Sequence, residues 1–384
     1  MTDYHNEFEL KLFIDGKEIV PGEKGDIPNA NGSLVQQFRC DRKLGAPDLL
    51  SFSLNMMDQN EFVVLDKLLP GTPIKLIAGY GETGTIFDGE AVYIRPRFSP
   101  GQNVVEVVCY TKAWRLTVGN NESRAFGDGF EAAIDAKKLL TDIVSASGAH
   151  KGTSDGLSVK IGSSDAKLEY KSQVATTDFA FIGQITGGAG FAVKTGASAS
   201  ELVFQPVELT ASAKLKIHRD RVDAGDDSML AGKVEFYNSP VRQIKEVWVR
   251  GYDHAKHKGF VGKATAPSAL IGGKAGTKHT GKMLYGGESS GKIIQILDAG
   301  VGSQEEAKGV AQAFLDDCSM YWMGARVTIE GRPSLCPGDV IELLDFGTRF
   351  SGNYLIKACQ HVWSGSSGAP FQTICDVHRN GSPE

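Results

Sequence analysis

The sequence predicts a mainly β protein, α+β in class, in which two similar β units flank an α+β insert. Three observations predict it. Short runs that alternate apolar and polar residues recur along most of the chain. Glycine, 46 of 384 residues, falls between those runs without a fixed period, as many turns joining many strands require. The texture turns helical only in a middle stretch and once more near the end.

The first unit covers residues 1–116. FELKLFID (8–15) alternates and runs into a Gly16 turn. SLVQQFRCD (33–41) and LSFSLNM (50–56) read as further strands, and residues 60–69 as a short helical or irregular stretch. PGTPIKLIAGYG, TIFDGEAVYIRPRF and NVVEVVCYTKAWRL complete the unit, punctuated by Pro70, Gly71, Gly81, Gly84, Pro100 and Gly101. The insert covers 117–230. There, residues 129–147 carry Ile134, Leu139, Leu140, Ile143 and Val144 at helical spacing, with Gly148 as a C-terminal stop. A second short helix is expected over 178–186, capped by Thr177, and GFAVKT with ELVFQPVEL reads as a hairpin. The second unit covers 231–384. Strand character returns over 234–253, and residues 264–291, rich in Gly, Ala, Ser and Thr, read as a long exposed loop. Ser303, with Glu306 three residues on, is a capping box that opens a helix. ARVTIEG, DVIELLDF, NYLIKACQHVW and FQTICDVHR close the chain as strands.

Apolar residues make up 41% and charged residues 23%, a balance that allows a sizeable core. A net charge of -5 and a pI near 6.0 argue against a protein that works by neutralising phosphates, so no nucleic acid is expected as a specific ligand. The opening MTDYHNEFEL has no apolar region of a secretory signal, and no run approaches the ~18 apolar residues of a membrane span. No membrane anchor is expected. Cys40, Cys109, Cys318, Cys336, Cys359 and Cys375 form no CxxC pair, and several sit inside strand-like runs. That is the pattern of small buried hydrophobes in a reducing compartment.

The ends of the two β units repeat. PGTPIKL (70–76) aligns without a gap to PGDVIEL (337–343), matching Pro70 to Pro337, Gly71 to Gly338, Ile74 to Ile341 and Leu76 to Leu343. Downstream, Phe87-Asp88-Gly89 parallels Phe350-Ser351-Gly352, and Cys109 parallels Cys375. Each half then repeats a three-strand meander entered through a Pro-Gly turn. One chain with two such units makes six in a three-fold trimer, a pseudo-six-fold surface.

Motifs that carry chemistry are incomplete. GYGETG (79–84) has the GxGxxG spacing, but a strand follows it where a dinucleotide site needs a helix, so it reads as a hairpin turn. GGESSGK (286–292) has the spacing of a phosphate loop, but Ile293 stands where a hydroxyl must hold magnesium. His254 and His257 form an HAKH pair without further ligands and read as solvated. His361 and His378 read as structural. There is no GxSxG, and no cysteine sits in a protease context. Asp226-Asp227 and Asp316-Asp317 are sequence neighbours, whereas glycosidase carboxylates are defined across a cleft. No catalytic, cofactor-binding or metal-binding residue is assigned, no cofactor is expected, and the chain is expected not to be an enzyme.

Residues 335–380 carry a Pro-Gly turn (Pro337, Gly338), a strand with Gly352, Tyr354, Leu355 and Ile356, a histidine near its end (His361) and a last strand ending in Arg379. The middle carries Asp178, Phe179 and Phe181, then Gly190 and Phe191. In this order these features resemble the phage late-control gene D protein family, which includes the hub portion of valine-glycine repeat G spike proteins. The resemblance covers nearly the whole chain. It implies two tube-like antiparallel β-barrels with an intervening α+β region. It also implies a homotrimer that adapts a six-fold tail tube to a three-fold spike, at the baseplate of a contractile tail or injection system assembled in the bacterial cytoplasm. The chain stops about where such proteins continue into an oligonucleotide/oligosaccharide-binding barrel and a β-helical needle. A separate spike protein is therefore expected as a partner, with a tail-tube initiator and baseplate wedge components. The rival expectations are a tail-associated cell-wall hydrolase and a carbohydrate- or receptor-binding tail module.

Overall fold

The computed structural model describes residues 8–19, 34–56, 62–100, 102–118, 122–126, 134–146, 157–162, 167–168, 171–188, 191–196, 198, 200–220, 228–253, 256–272, 278–279, 292–297, 301–365 and 369–382. Alternation along these segments resolves into one 14-stranded sheet and five small ones. The protein is mainly β.

The first unit contributes β1 (Phe8–Ile14), β2 (Lys17–Glu18), β3 (Val35–Lys43), β4 (Leu49–Asn55), α1 (Phe62–Lys67), β5 (Pro73–Tyr80), β6 (Glu82–Ser99) and β7 (Gln102–Tyr110). Its strands lie in the order β2-β1-β5-β6-β7-β4-β3, antiparallel throughout. Every second residue points inward, so Leu50, Leu54, Leu76, Val105 and Val107 are wholly buried in one core. Each such side chain contributes about 1.5–3 kcal/mol by leaving water.

The insert contributes β8 (Glu122–Phe126), β9 (Ile134–Asp135), α2 (Ala136–Ala146), β10 (Ser158–Ile161), β11 (Lys167–Leu168), β12 (Lys171–Thr176), α3 (Asp178–Gly188), β13 (Phe191–Thr195) and β14 (Glu201–Pro206). β13 and β14 form the expected hairpin, and β10 adds to β14 in parallel. Leu139, Leu140, Ile143 and Val144 of α2 share a core with Phe181, Ile182 and Ile185 of α3. Thr177 caps α3, its hydroxyl accepting from the Ala180 amide at 3.2 Å. The helix expected over 129–147 is shorter: Ile134 pairs with Leu168 in β9–β11, and the helix starts at Ala136. Residues 127–133 and Gly148 lie outside the described residues.

The rest comprises β15 (Leu215–His218), β16 (Ser228–Leu230), β17 (Lys233–Asn238), β18 (Glu246–Asp253), β19 (Lys258–Ala264), β20 (Lys278–His279), β21 (Ile293–Leu297), α4 (Gln304–Ser319), β22 (Met323–Glu330), β23 (Val340–Leu344), the short α5 (Gly347–Phe350), β24 (Gly352–Ser364), β25 (Ala369–Arg379) and β26 (Gly381–Ser382). β18, β19 and β21 form a small sheet that packs on α4 around Val247, Val249, Ala307, Ala311 and Leu315. Gly262 permits this close approach: a Cβ there would lie 2.2 Å from the Lys308 amide nitrogen. Ser303 caps α4 by accepting from the Glu306 amide at 3.2 Å, and the Glu306 carboxylate accepts in return from the Gly302 amide at 3.1 Å. Of the loop expected over 264–291, residues 273–277 and 280–291 lie outside the described residues.

The repeat is visible in the ladders. β6 pairs with β5 and β7, and β24 pairs with β23 and β25. The two entry glycines share a backbone angle that side chains resist, φ +93° at Gly71 and +92° at Gly338. Gly71 donates to the Ala91 carbonyl at 2.7 Å, and Gly338 donates to the Ile356 carbonyl at 2.8 Å. The return bonds, Ala91 to Thr72 and Ile356 to Asp339, both measure 2.9 Å. Each long strand then bulges at the same place, between Ala91 and Tyr93 and between Ile356 and Ala358. Further out, β7-β4-β3 corresponds to β25-β22-β17.

The ladders correct two of the sequence landmarks. Gly89 lies opposite Ile74 and Tyr354 opposite Ile341, so Gly89 corresponds to Tyr354 rather than Gly352. Cys109 lies opposite Ala91 and Val377 opposite Ile356, so Cys109 corresponds to Val377 rather than Cys375. A two-residue slip leaves every side chain on its own face, and alternation cannot detect it.

Among the described residues no ladder closes into a barrel. Closure requires a sheet's own outer strands to meet. Here the outer edge of β3 pairs instead with β24 of the other unit, residues 37–43 against 358–364.

Candidate functional site at the junction of the two units

The β3–β24 seam gathers a cluster of buried polar groups. Phe38, Cys40 and Arg42 occupy successive inward positions of β3, so alternation directs a guanidinium where an apolar side chain would ordinarily sit. Arg42 donates to the carbonyls of Thr85 (3.1 Å) and Ile86 and to the Cys336 sulfur (3.6 Å). Its Nε lies 3.7 Å from the carboxylate of Asp48 in the β3–β4 connection. The Asp48 amide donates to Thr111 Oγ1 at 3.2 Å, and Thr111 Oγ1 lies 3.4 Å from Thr195 Oγ1 of β13. One cluster thus ties together the first unit, the insert and the loop that enters β23. Burial pushes the Asp48 carboxyl up to about 6, against the opposing pull of Arg42 and a hydrogen bond from Thr195.

On the opposite strand, His361 is fully buried, its Nδ1 3.0 Å from Thr373 Oγ1. Thr373 Oγ1 already accepts from the Arg332 amide at 2.8 Å, so its hydroxyl hydrogen is free for the bare Nδ1 of a neutral ring. Burial, and then the charge of Arg42, lower the His361 pKa to about 3. Cys359 Sγ lies 3.9 Å from His361 Nε2, the elements of a thiol–imidazole pair. Burial raises the Cys359 thiol well above its ordinary range. Near neutrality both partners are therefore uncharged, whereas a cysteine nucleophile needs the thiolate. The arrangement holds strands together.

Aromatic rings complete the seam. Phe371 of β25 lies 5.5 Å from Phe8, 5.8 Å from Phe38 and 6.2 Å from Tyr80, between ring centroids. Its amide donates to the Tyr80 hydroxyl at 2.9 Å. Phe371 and Trp363, late in the chain, thereby belong to the core of the first unit. A cavity of about 580 Å³ opens where the three regions meet, lined by Arg42, Asp48, Asp88, Thr195, Glu330 and Arg332 among others. Its charges are of both signs and converge on no single ligand chemistry.

The residues singled out in the sequence lie elsewhere or take structural roles. GYGETG is the β5–β6 turn, with Gly81 at φ +65° and Tyr80 opposite Glu82. Residues 286–291 of GGESSGK lie outside the described residues, and Ile293 begins β21. His254 also lies outside them, while His257 is exposed in the β18–β19 turn. His378 is buried, 3.1 Å from the Tyr237 hydroxyl. Asp316 accepts from the Ser268 amide and hydroxyl, and Asp317 pairs with Lys357. Asp226 and Asp227 are outside the described residues. All six cysteines are unbridged, and four of them are buried. Among the described residues no three His, Cys, Asp or Glu side chains gather as metal ligands, and no helix is long and apolar enough to cross a membrane.

The model of a family described as the Alg8 N-terminal domain matches residues 56–364, which takes in parts of both β units and all of the insert. The chain belongs to that family. No curated protein matches the chain. Among solved structures, the tail protein from Neisseria meningitidis MC58 is similar with a TM-score of 0.67 and 11% identity, over 97% of this chain and 96% of that one. The 43 kDa tail protein of prophage MuSo2 from Shewanella oneidensis is similar with a TM-score of 0.63 and 12% identity, over 97% and 98%. An Escherichia coli component of the type VI secretion system, described as structurally similar to the bacteriophage T4 tail proteins gp27 and gp5, gives 0.55 and 11%, over 97% and 79%. This member of the Alg8 N-terminal domain family therefore has the fold of phage tail proteins over 97% of its length.

Proposed function

We propose that this chain is the structural hub of the baseplate of a contractile phage-tail-like injection system. The observation that carries the proposal is the tail-protein fold over 97% of the chain, combined with two copies of one five-stranded unit in it. Three chains present six such units, which is the arrangement needed to seat a six-fold tube on a three-fold spike. In this reading residues 1–116 and 231–384 each supply part of a tube-like barrel wall, and residues 117–230 form the insert. Its proposed partners are a spike, a tube initiator and baseplate wedge components. The particle is a virion or an injection system put together in the bacterial cytoplasm. The role is mechanical, and the buried neutral Cys359–His361 pair performs no covalent step.

Mass determination in solution tests the assembly. The proposal expects a particle of three times the 41.2 kDa chain mass, and a stable monomer at high concentration would overturn it. Incubating the purified chain with cell walls tests the mechanical role, since turnover of the wall polymer would replace the hub with a hydrolase.

A further inference from the structure

A second cavity, of about 490 Å³, crosses the β3–β24 seam on the face of the sheet turned away from the core. Alternation along the strands produces it. Phe38, Phe52, Val107 and Trp363 point inward into the core of the first unit, so the residues between them point outward. The ladders set these outward residues in two rows across β7, β4, β3 and β24. One row is Val108, Ser51, Arg39 and Val362, continuing to Gln372 of β25. The other is Glu106, Ser53, Gln37 and Ser364. Short serines between longer side chains leave a recess. Ser53 lies on its floor, 4% exposed, between its cross-strand neighbours Gln37 and Glu106. Among the described residues its hydroxyl has no hydrogen-bond partner. A hydroxyl held out of water without a partner costs free energy, and a ligand oxygen that reaches it recovers that cost.

The lining selects a class of ligand. Its two charges are opposite in sign and each is already answered, Arg39 by Asp41 at 2.8 Å and Glu106 by Arg97 at 2.9 Å. A charged ligand would have to break one of these pairs to find a partner. The backbone is closed as well. Over this stretch β3, β4, β7 and β24 each pair on both sides, so no strand edge is open to an extended peptide. Neutral hydrogen-bonding groups remain, the hydroxyls of Ser51 and Ser53 and the amides of Gln37 and Gln372, beside apolar Val362 and Pro370. A side-chain amide presents a donor and an acceptor together, which matches two adjacent hydroxyls. The apolar wall matches the C–H face of a sugar ring, and the volume falls within the ~300–1,000 Å³ of small-molecule sites.

We infer that this groove binds a neutral saccharide, one of whose hydroxyls pairs with Ser53 once the exposed Gln37 side chain moves aside. The site adds a ligand to the mechanical role proposed above and stands on the groove alone, whatever the assembly state of the chain.

Titration calorimetry of the purified full chain tests the inference. The probes are two neutral trisaccharides, maltotriose and N-acetylated chitotriose, with sialyllactose as the charged control. Gln37→Ala, Ser53→Ala and Gln372→Ala are titrated beside the native sequence. The inference expects saturable binding of at least one neutral probe with a Kd of about 1 mM or tighter. It expects binding about tenfold weaker in at least two of the three variants, the loss that one missing hydrogen bond produces. Ser53→Ala carries a second readout. Its hydroxyl has no partner inside the protein, so its removal should leave the melting temperature of the free chain unchanged or higher, while the rise produced by the bound probe shrinks. Absence of saturable binding by either neutral probe up to about 10 mM overturns the inference. Binding left unchanged in two or more variants places the sugar elsewhere and overturns it too. Tighter binding of sialyllactose than of both neutral probes overturns the neutral class. A free Ser53→Ala chain that melts several degrees lower gives the hydroxyl a structural partner and removes the site.

Discussion

Acid should loosen the junction through one buried imidazole. Unfolded, His361 binds a proton near pH 6.5; folded, burial and Arg42 postpone protonation to about 3. Between those values the unfolded chain holds more protons than the folded one, so stability falls as pH falls through that window. At about 1.4 kcal/mol per pH unit, the loss is about 3 kcal/mol between pH 6.5 and 4.5 and about 5 kcal/mol by pH 3. The comparison protein is His361→Asn, whose amide oxygen can take the place of Nδ1 toward Thr373 without a titrating group. Asp48, raised to about 6, works in the opposite sense. It is present in both proteins and cancels from their difference. Urea unfolding at pH 7.5 and pH 4.5 supplies the measurement. The native chain should lose about 3 kcal/mol more than the variant on acidification. Equal losses in both would refute the assignment of His361 as a neutral, inaccessible member of the seam.

The remaining predictions concern backbone and packing. Gly71→Ala and Gly338→Ala should each cost about 1–2 kcal/mol, and by similar amounts, because both sites demand the same positive φ and neither meets a steric clash; paired thermal melts check this. Gly262→Ala should cost about 1–3 kcal/mol, since its Cβ would press on the α4 backbone rather than on a flexible side chain; faster hydrogen exchange confined to β19 and α4 would show where the strain goes. Ser303→Ala should cost about 1 kcal/mol by freeing the Glu306 amide at the start of α4, read from the unfolding midpoint.

Much of the fold was legible because its signals are local. Period-two runs marked β5, β6, β7 and the closing strands, and the Ser303 and Thr177 caps announced α4 and α3 through the hydroxyls that now bond Glu306 and Ala180. The repeat was legible in its Pro-Gly turns but misaligned beyond them, since a two-residue slip keeps the inward pattern intact. The seam was hidden for a different reason. β3 and β24 are separated by more than three hundred residues, and nothing local tells a strand which distant edge it meets. One clue was present: Arg42 falls in phase with Phe38 and Cys40, so the pattern sends a charge inward, and a buried guanidinium needs several acceptors. Asp48, Cys336 and the carbonyls of residues 85 and 86 supply the contacts, and no spacing rule relates them.

End-on particle images of the purified chain test the central claim most directly. The account predicts closed rings whose averaged images carry strong six-fold rotational power with a weaker three-fold component, because each of three chains contributes two similar but non-identical units. Single compact particles with neither periodicity, or rings with a symmetry that is not a multiple of three, would contradict it.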